Sequence, residues 1–382
     1  MSDLKVMSSP KHVDIAITGK CNLACKYCFY ADEMVARTNL PTERWLSFFD
    51  ELGSLGVMTV CLTGGEVFTR PDLFELIDGI IANRMRYSLL SNGTMITEDT
   101  LKQFEIGKRR QRLDSIQVSV DGSSAEVHDL SRPKSFGRAL RGLKLLKEAG
   151  YPVTVRVTIN RHNVDDLENV AHLLLDEVGL PSFSTNEAYA CGATDRTEGN
   201  IILTPAQRKQ AMEVLTRLSE KYDQRISATA GPLILAQELK TMDEMLANGQ
   251  TSRPGRGTLS ACGGVFSQLG VLHDGTIVPC HLLSNLRLGT IGVDNLQDIW
   301  LEHVTMIALR QRQIIPLSSL ETCKSCAYQG FCTGGCPGGA VYATGDFNTR
   351  DPMSCYRVLR GQDPFLKLSI EAVNLNIGEQ NG

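Results

Sequence analysis

The stretch HVDIAITGKCNLACKYCFY, residues 12–30, decides how this chain is read. HVDIAI is short and rich in apolar and β-branched residues, which predicts a strand. The loop after it places Cys21, Cys25 and Cys28 within eight residues and offers no fourth thiol. A tetrahedral metal or cluster site wants four ligands. The C-x3-C-x2-C spacing suits a cubane cluster in which three irons take thiolate and one stays open to an exchangeable ligand. A zinc ion with a remote fourth ligand is the other reading of the same thiols.

Working outward, five more strand-like segments follow: TVCLTGG, RYSLLSNG, SIQVSVDG, PVTVRVTIN and SFSTNEA. Helix-period stretches alternate with them, among them PTERWLSFFDELGSLG, RPDLFELIDGIIANR, GRALRGLKLLKEAG and VDDLENVAHLLLDEVG. Six strand-helix units predict an α/β fold, a partial (β/α)6 TIM-like barrel over residues 1–190, with functional groups at the carboxyl ends of its strands. A helical connector, 191–260, is opened by Thr204 as N-cap with Pro205 in the first turn. From Ala261 the texture turns to Cys, Gly and short turns, so a small cysteine-rich domain is expected over 261–360, with a tail over 361–382.

The 382 residues, 42% hydrophobic, can bury a large core. A net charge of -4 and a pI near 6.0 give no electrostatic reason to expect nucleic acid or an anionic membrane surface as partner. The basic run GKRRQR ending at Arg112 reads as a solvated loop. With no apolar run of membrane-spanning length and no signal peptide, the chain is expected to be cytoplasmic, where twelve cysteines serve better as metal ligands than as disulfides. Seven of them fall between Cys262 and Cys355. Cys61, inside the second strand, reads as a small buried hydrophobe, and Cys191 sits just beyond the sixth strand at an expected barrel mouth.

The remaining strand ends carry the other candidate groups. TGGEV holds Gly64, Gly65 and Glu66, where glycines would let a ligand approach the backbone and the carboxylate could meet a ligand ammonium. SNGT holds Asn92, SVDG holds Ser119 and Asp121, HDLSR holds Arg132, and RVTIN holds Thr158 and Asn160. Asn, Ser and Asp are also ordinary turn formers, and both readings stand for them here.

The cysteine loop with Tyr27 before its last Cys, followed by GGE after the second strand, resembles the radical S-adenosylmethionine enzymes. The later thiols resemble the SPASM domain found on members that modify peptides and proteins: Cys262, then Cys280, then Cys323, Cys326, Cys332, Cys336 and Cys355, with LGTIGVDNLQDIW as the linking helix. The resemblance implies three [4Fe-4S] clusters. Cys21, Cys25 and Cys28 would hold one, whose open iron takes the amino and carboxylate groups of S-adenosylmethionine. An inner auxiliary cluster would take Cys262, Cys280 and Cys336, and an outer one Cys323, Cys326, Cys332 and Cys355. Some relatives supply a further Cys where this chain has Gln268, which leaves the inner cluster's fourth ligand open. Structural zinc is the alternative for these thiols.

By the same resemblance Glu66 meets the cofactor ammonium and Ser119 and Arg132 its carboxylate. Asn92 and Asp121 shape the ribose side or the substrate pocket, and Tyr27, Phe29, Gly64 and Gly65 complete the cofactor site. Cleavage of the cofactor would give a 5'-deoxyadenosyl radical that takes hydrogen from a ribosomally made peptide or protein, with a flavodoxin- or ferredoxin-type reductant as second partner. The outcome is a net oxidation, a cross-link being favoured over thioether, unsaturation or aldehyde. His281 and Cys191 are the candidate catalytic groups. In sulfatase-maturing relatives an Asp base directly follows the domain's second Cys, and His281 stands there instead. With the first strand beginning near His12, a leader-binding domain is not expected ahead of it. Sulfatase maturation or processing of a peptide-derived or porphyrin cofactor is the alternative within the class. A non-catalytic electron carrier or zinc-stabilised binding module is the alternative outside it.

Overall fold

The computed structural model describes residues 5–36, 38–196 and 201–361. The expected tail beyond residue 361 lies outside them. All six expected strands form: β1 (His12–Thr18), β2 (Thr59–Gly64), β3 (Arg86–Ser91), β4 (Leu113–Ser119), β5 (Val153–Ile159) and β6 (Phe183–Glu187). They pair in parallel in sequence order, each with its successor. Parallel neighbours need crossovers, and amphipathic helices supply them. Helix Thr42–Ser54 buries Trp45, Phe48, Phe49 and Leu52, and helix Leu73–Ala82 buries Leu73, Leu76, Ile77 and Ile80, three- and four-residue spacings that make one apolar stripe.

The sheet does not stop at six strands. Connector strand β7 (Ile226–Ala228) extends it beyond β6. On the other side β8 (Gln268–Val271) pairs in parallel with β1, and β9 (Thr276–Val278) and β10 (Gly289–Thr290) continue antiparallel from it, making a sheet of ten strands among the described residues. The compositional change at Ala261 is therefore no break in hydrogen bonding, because the cysteine-rich segment is built onto the barrel's first strand.

Two expectations change in detail. The linking helix occupies only Leu296–Glu302, since Gly289 and Thr290 are spent on β10. The basic run is a short helix, Arg109–Arg112, rather than a solvated loop. Arg109 is buried, paired bidentately with Asp78 at 2.8 and 2.6 Å, and Arg110 lies over the Tyr151 ring.

The strands' alternation divides the sheet into two unlike faces. Val13, Ile15, Val60, Leu62, Val155 and Val157 join the core under the helices. Their neighbours on the concave side are His12, Asp14, Cys61, Ser88, Gln117, Arg156 and Asn186, mostly polar and, Cys61 apart, only partly buried. Parallel sheets usually cover both faces with apolar contacts. This one leaves its inner face polar and only partly buried, as a binding cleft requires.

Candidate functional site

The cysteine loop leaves β1 at the carboxyl end of the sheet and is clipped down by backbone. Gly65 N–H donates to Thr18 O and Glu66 N–H to Lys20 O, both at 2.8 Å. A Cβ at Gly65 would come within 2.0 Å of Lys20 O, and Gly64 holds φ +124 with the Thr18 carbonyl beside it. The two glycines were expected to admit a ligand; in the structure it is the cysteine loop's own main chain that needs the space. Farther along, Ala193 N–H donates to Cys28 O, and Gly192, at φ +63, packs where a side chain would strike the Cys28 carbonyl.

The strand ends fix this loop from the other side. Glu66 is fully buried and accepts from Asn92 N–H at 2.7 Å, Ser91 Oγ at 2.8 Å and Phe68 N–H at 3.3 Å. Burial raises its carboxyl above the usual range, against the pull of those donors. One acceptor position on Oε2 is left for a further donor. The Asn92 amide donates to Asn22 Oδ1 at 2.8 Å, and its oxygen accepts from Thr94. Here Asn92 holds the cysteine loop through Asn22.

Asp121 is likewise turned inward. Its carboxylate, with no exposed surface, accepts from Tyr27 Oη, from Thr158 N–H at 2.7 Å and from Arg132 Nε at 2.5 Å. Arg132 lies over the Tyr27 ring, and its Nη1 reaches 3.7 Å from Cys25 Sγ. Tyr27, Asp121 and Arg132 thus form one buried unit that ends at a cluster thiol. Ser119 stands half-buried on the concave face, Phe29 is exposed and edge-on to Tyr30, and Asn160 is fully buried in turn chemistry, accepting from Ser131 Oγ and His162 N–H.

All three thiol sets gather. Cys21, Cys25 and Cys28 stand within electrostatic reach of one another, and burial first, then its neighbours, push the Cys28 thiol up to about 11. Cys280 and Cys336 approach each other and Cys262. Cys262 holds the left-handed φ of +64, uncommon for a residue with a side chain, and its sulfur accepts from Gly264 N–H at 3.4 Å. Cys323, Cys326, Cys332 and Cys355 line one pocket together with Arg350, whose Nη1 donates to Cys355 Sγ at 2.7 Å. Gly334 N–H donates to Cys332 Sγ at 3.2 Å. Backbone and arginine donors aimed at sulfur are what an iron-sulfur site uses to set its potential.

Four thiolates on one zinc lie about 3.8 Å apart, given bonds of ~2.3 Å. Among the described residues no three Cys, His, Asp or Glu side chains converge that tightly. The outer set lines a pocket instead of converging on a point, as a cluster site does. Gln268 is no substitute ligand, because its amide donates to Asp14 inside the barrel.

The two candidate catalytic groups differ in access. His281 donates from Nε2 to Val271 O at 3.0 Å, packs 5.8 Å from the Tyr30 ring, and keeps Nδ1 able to take a proton. Cys191 has no exposed surface. A thiol sealed behind the Cys28 loop suits packing better than the expected place at the barrel mouth.

Sequence reasoning passed over the buried joint between barrel and cysteine-rich segment. Glu187 and Arg208 pair at 2.5 Å with little exposure, and Tyr189 Oη donates to Asp351. It passed over Arg156 as well. The period-two alternation of VTVRVTI was the available signal, since it puts a cation on the face opposite the valines.

Comparison with known proteins agrees with this geometry. Residues 15–174 match the radical SAM superfamily, and residues 262–327 match an iron-sulfur cluster-binding domain, SPASM. The chain is 27% identical over 363 residues to an AdoMet-dependent heme synthase of Methanosarcina barkeri, covering 93% of this chain and 99% of that protein. It is 28% identical over 344 residues to a PqqA peptide cyclase of Ruegeria pomeroyi, covering 88% and 85%. Streptococcus suis SuiB bound to precursor peptide SuiA superposes with a TM-score of 0.69 at 17% identity, over 92% of this chain and 77% of that one. anSMEcpe with bound AdoMet superposes at 0.67 and 20% identity, over 95% and 99%. The last two likenesses concern the fold. Among the described residues no helix is long and apolar enough to cross a membrane. The chain carries a radical SAM domain over residues 15–174 and a SPASM iron-sulfur cluster-binding domain over residues 262–327.

Proposed function

We propose that this enzyme oxidatively modifies a ribosomally made peptide, forming a cross-link between side chains. The observation that carries the reading is the polar, partly exposed concave face of the sheet below the cysteine loop, against which an extended chain can lie with its polar groups paired. The peptide cyclase relatives support the substrate class.

Three clusters are proposed, on Cys21, Cys25 and Cys28, on Cys262, Cys280 and Cys336, and on Cys323, Cys326, Cys332 and Cys355. Reductive cleavage of S-adenosylmethionine at the first supplies the radical that takes a substrate hydrogen. The chain's own residues bind, orient and exclude water. Glu66 offers its remaining acceptor position to the cofactor ammonium. Arg132, held by Asp121, sets a positive charge beside Cys25 and keeps the cofactor carboxylate's side of the pocket cationic. His281 Nδ1 is the proposed acceptor of a substrate proton, between Tyr30 and the inner thiols. A flavodoxin- or ferredoxin-type protein is the proposed reductant.

The near-complete coverage of the heme synthase relative favours a second reading, a porphyrin substrate. Anaerobic incubation with dithionite, S-adenosylmethionine and either short peptides encoded beside the gene or a carboxylated porphyrin separates the two by mass spectrometry. A peptide lighter by two hydrogens supports the proposal. A porphyrin product with unchanged peptides overturns it.

A further inference from the structure

We infer that Arg156 is a substrate-carboxylate anchor on the concave face, selecting a peptide with an acidic side chain beneath the cofactor end of the barrel. The inference rests on the peptide-maturase reading for the substrate's class, and on the geometry below for the carboxylate.

Arg156 lies in β5, whose Val155 and Val157 point into the core, so its own side chain faces the cleft. It is only partly buried, and the one side-chain contact it makes among the described residues is Nε to Ser184 Oγ at 2.9 Å on the neighbouring strand. Several arginines buried around this sheet are matched by a carboxylate, Arg70 by Asp72, Arg109 by Asp78, Arg132 by Asp121 and Arg208 by Glu187, and Arg225 and Arg310 are held by backbone carbonyls, whereas for Arg156 the described residues supply only the Ser184 hydroxyl. Burial disfavours the charged Arg156 guanidinium, and no carboxylate among the described residues offsets it. A partly desolvated cation without a partner is unfavourable in the free protein and gains when a ligand supplies the anion. Diagonally across on β6, in register with Thr158 and on the same face, Asn186 has a buried Oδ1 with no hydrogen-bond donor among the described residues. The pair therefore offers a guanidinium fork for a carboxylate and an acceptor for an adjacent peptide N–H.

Its height in the barrel fits a substrate. Arg156 is two residues below Thr158, whose N–H binds Asp121 in the unit that touches Cys25. At ~3.3 Å per residue that is about 7 Å toward the barrel floor. Asp14, on the concave face of β1, is already engaged by His12 at 2.8 Å and by Gln268.

The test uses the reconstituted holoenzyme and two probes. Phenylglyoxal modification of Arg156, followed by peptide mass spectrometry, is measured with N-acetyl-glutamate amide and with N-acetyl-glutamine amide present. The acidic compound should slow modification at least threefold and the neutral one should not; equal protection, or none, overturns the anchor. In parallel, random decapeptides fused through their carboxyl ends are selected on native and Arg156→Gln protein. Native protein should enrich Asp or Glu at one position about tenfold, with the preference lost in Arg156→Gln and kept in part by Arg156→Lys. The same acidic preference on native and Arg156→Gln protein overturns the inference. Carboxylate protection without any peptide enrichment keeps the anchor and removes the peptide-maturase reading instead.

Discussion

Asp121→Asn breaks the buried unit that connects the fourth strand to the cysteine loop, and its cost follows from burial. The Asp121 carboxylate is fully enclosed and the Arg132 guanidinium is 11% exposed. Asparagine can still accept from Thr158 N–H, but it presents an amide to Arg132 Nε and Tyr27 Oη, both donors. Removing one member of a buried pair leaves an uncompensated charge, at about 3–5 kcal/mol. Arg132→Met should cost a similar amount by stranding the carboxylate. The double substitution removes both charges and should cost about as much as one single, a coupling of at least about 2 kcal/mol. Anaerobic urea titrations followed by far-UV circular dichroism and by the fluorescence of Trp45, in the barrel core, give the four stabilities. Additive losses would refute the argument, because independent effects would mean that Arg132 is held by something other than Asp121.

Three further outcomes are expected. Gly65→Ala must move the Lys20 carbonyl from a Cβ 2.0 Å away, so iron counting should show loss of the first cluster with the other two retained. His128, buried with its ring bonded to Ser135 Oγ and Asp121 N–H, is held down to about 4 by desolvation. The unfolded ring titrates near 6.5 and so binds more protons between those values. Stability should be full above pH 6.5 and fall by about 3 kcal/mol toward pH 4. His128→Gln should flatten that slope, and an unchanged slope in urea midpoints against pH would count against it. Cys336→Ala should leave 5'-deoxyadenosine formation intact while modified peptide per nucleoside drops several-fold; an unchanged ratio would make the inner cluster structural.

Much of this was legible because local chemistry writes it locally. Five of the six barrel strands run into the Gly, Asn or Asp that their turns demand, and the first three thiols come at short spacings from one loop. Thr204 and Pro205 open their helix with a capping box as the residues require. What was not legible depends on pairings far apart in the chain. Nothing in QLGV says that it will lie beside HVDIAIT more than 250 positions earlier, yet that pairing fuses the cysteine-rich segment to the barrel. Asp121 and Asn92 look like turn formers or ligand contacts until Arg132 and Asn22 are seen to occupy them. Alternation in VTVRVTI announces two faces without saying which is open, since in most parallel sheets both are closed.

The central claim, that the loop after β1 binds the cluster at which S-adenosylmethionine is cleaved, is tested most directly by one assay. Anaerobically reconstituted enzyme with dithionite and S-adenosylmethionine should release 5'-deoxyadenosine, and the protein with Cys21, Cys25 and Cys28 all replaced by Ala should release none while keeping the iron of the two SPASM sets. Release of the nucleoside by that triple variant at the native rate would contradict the account.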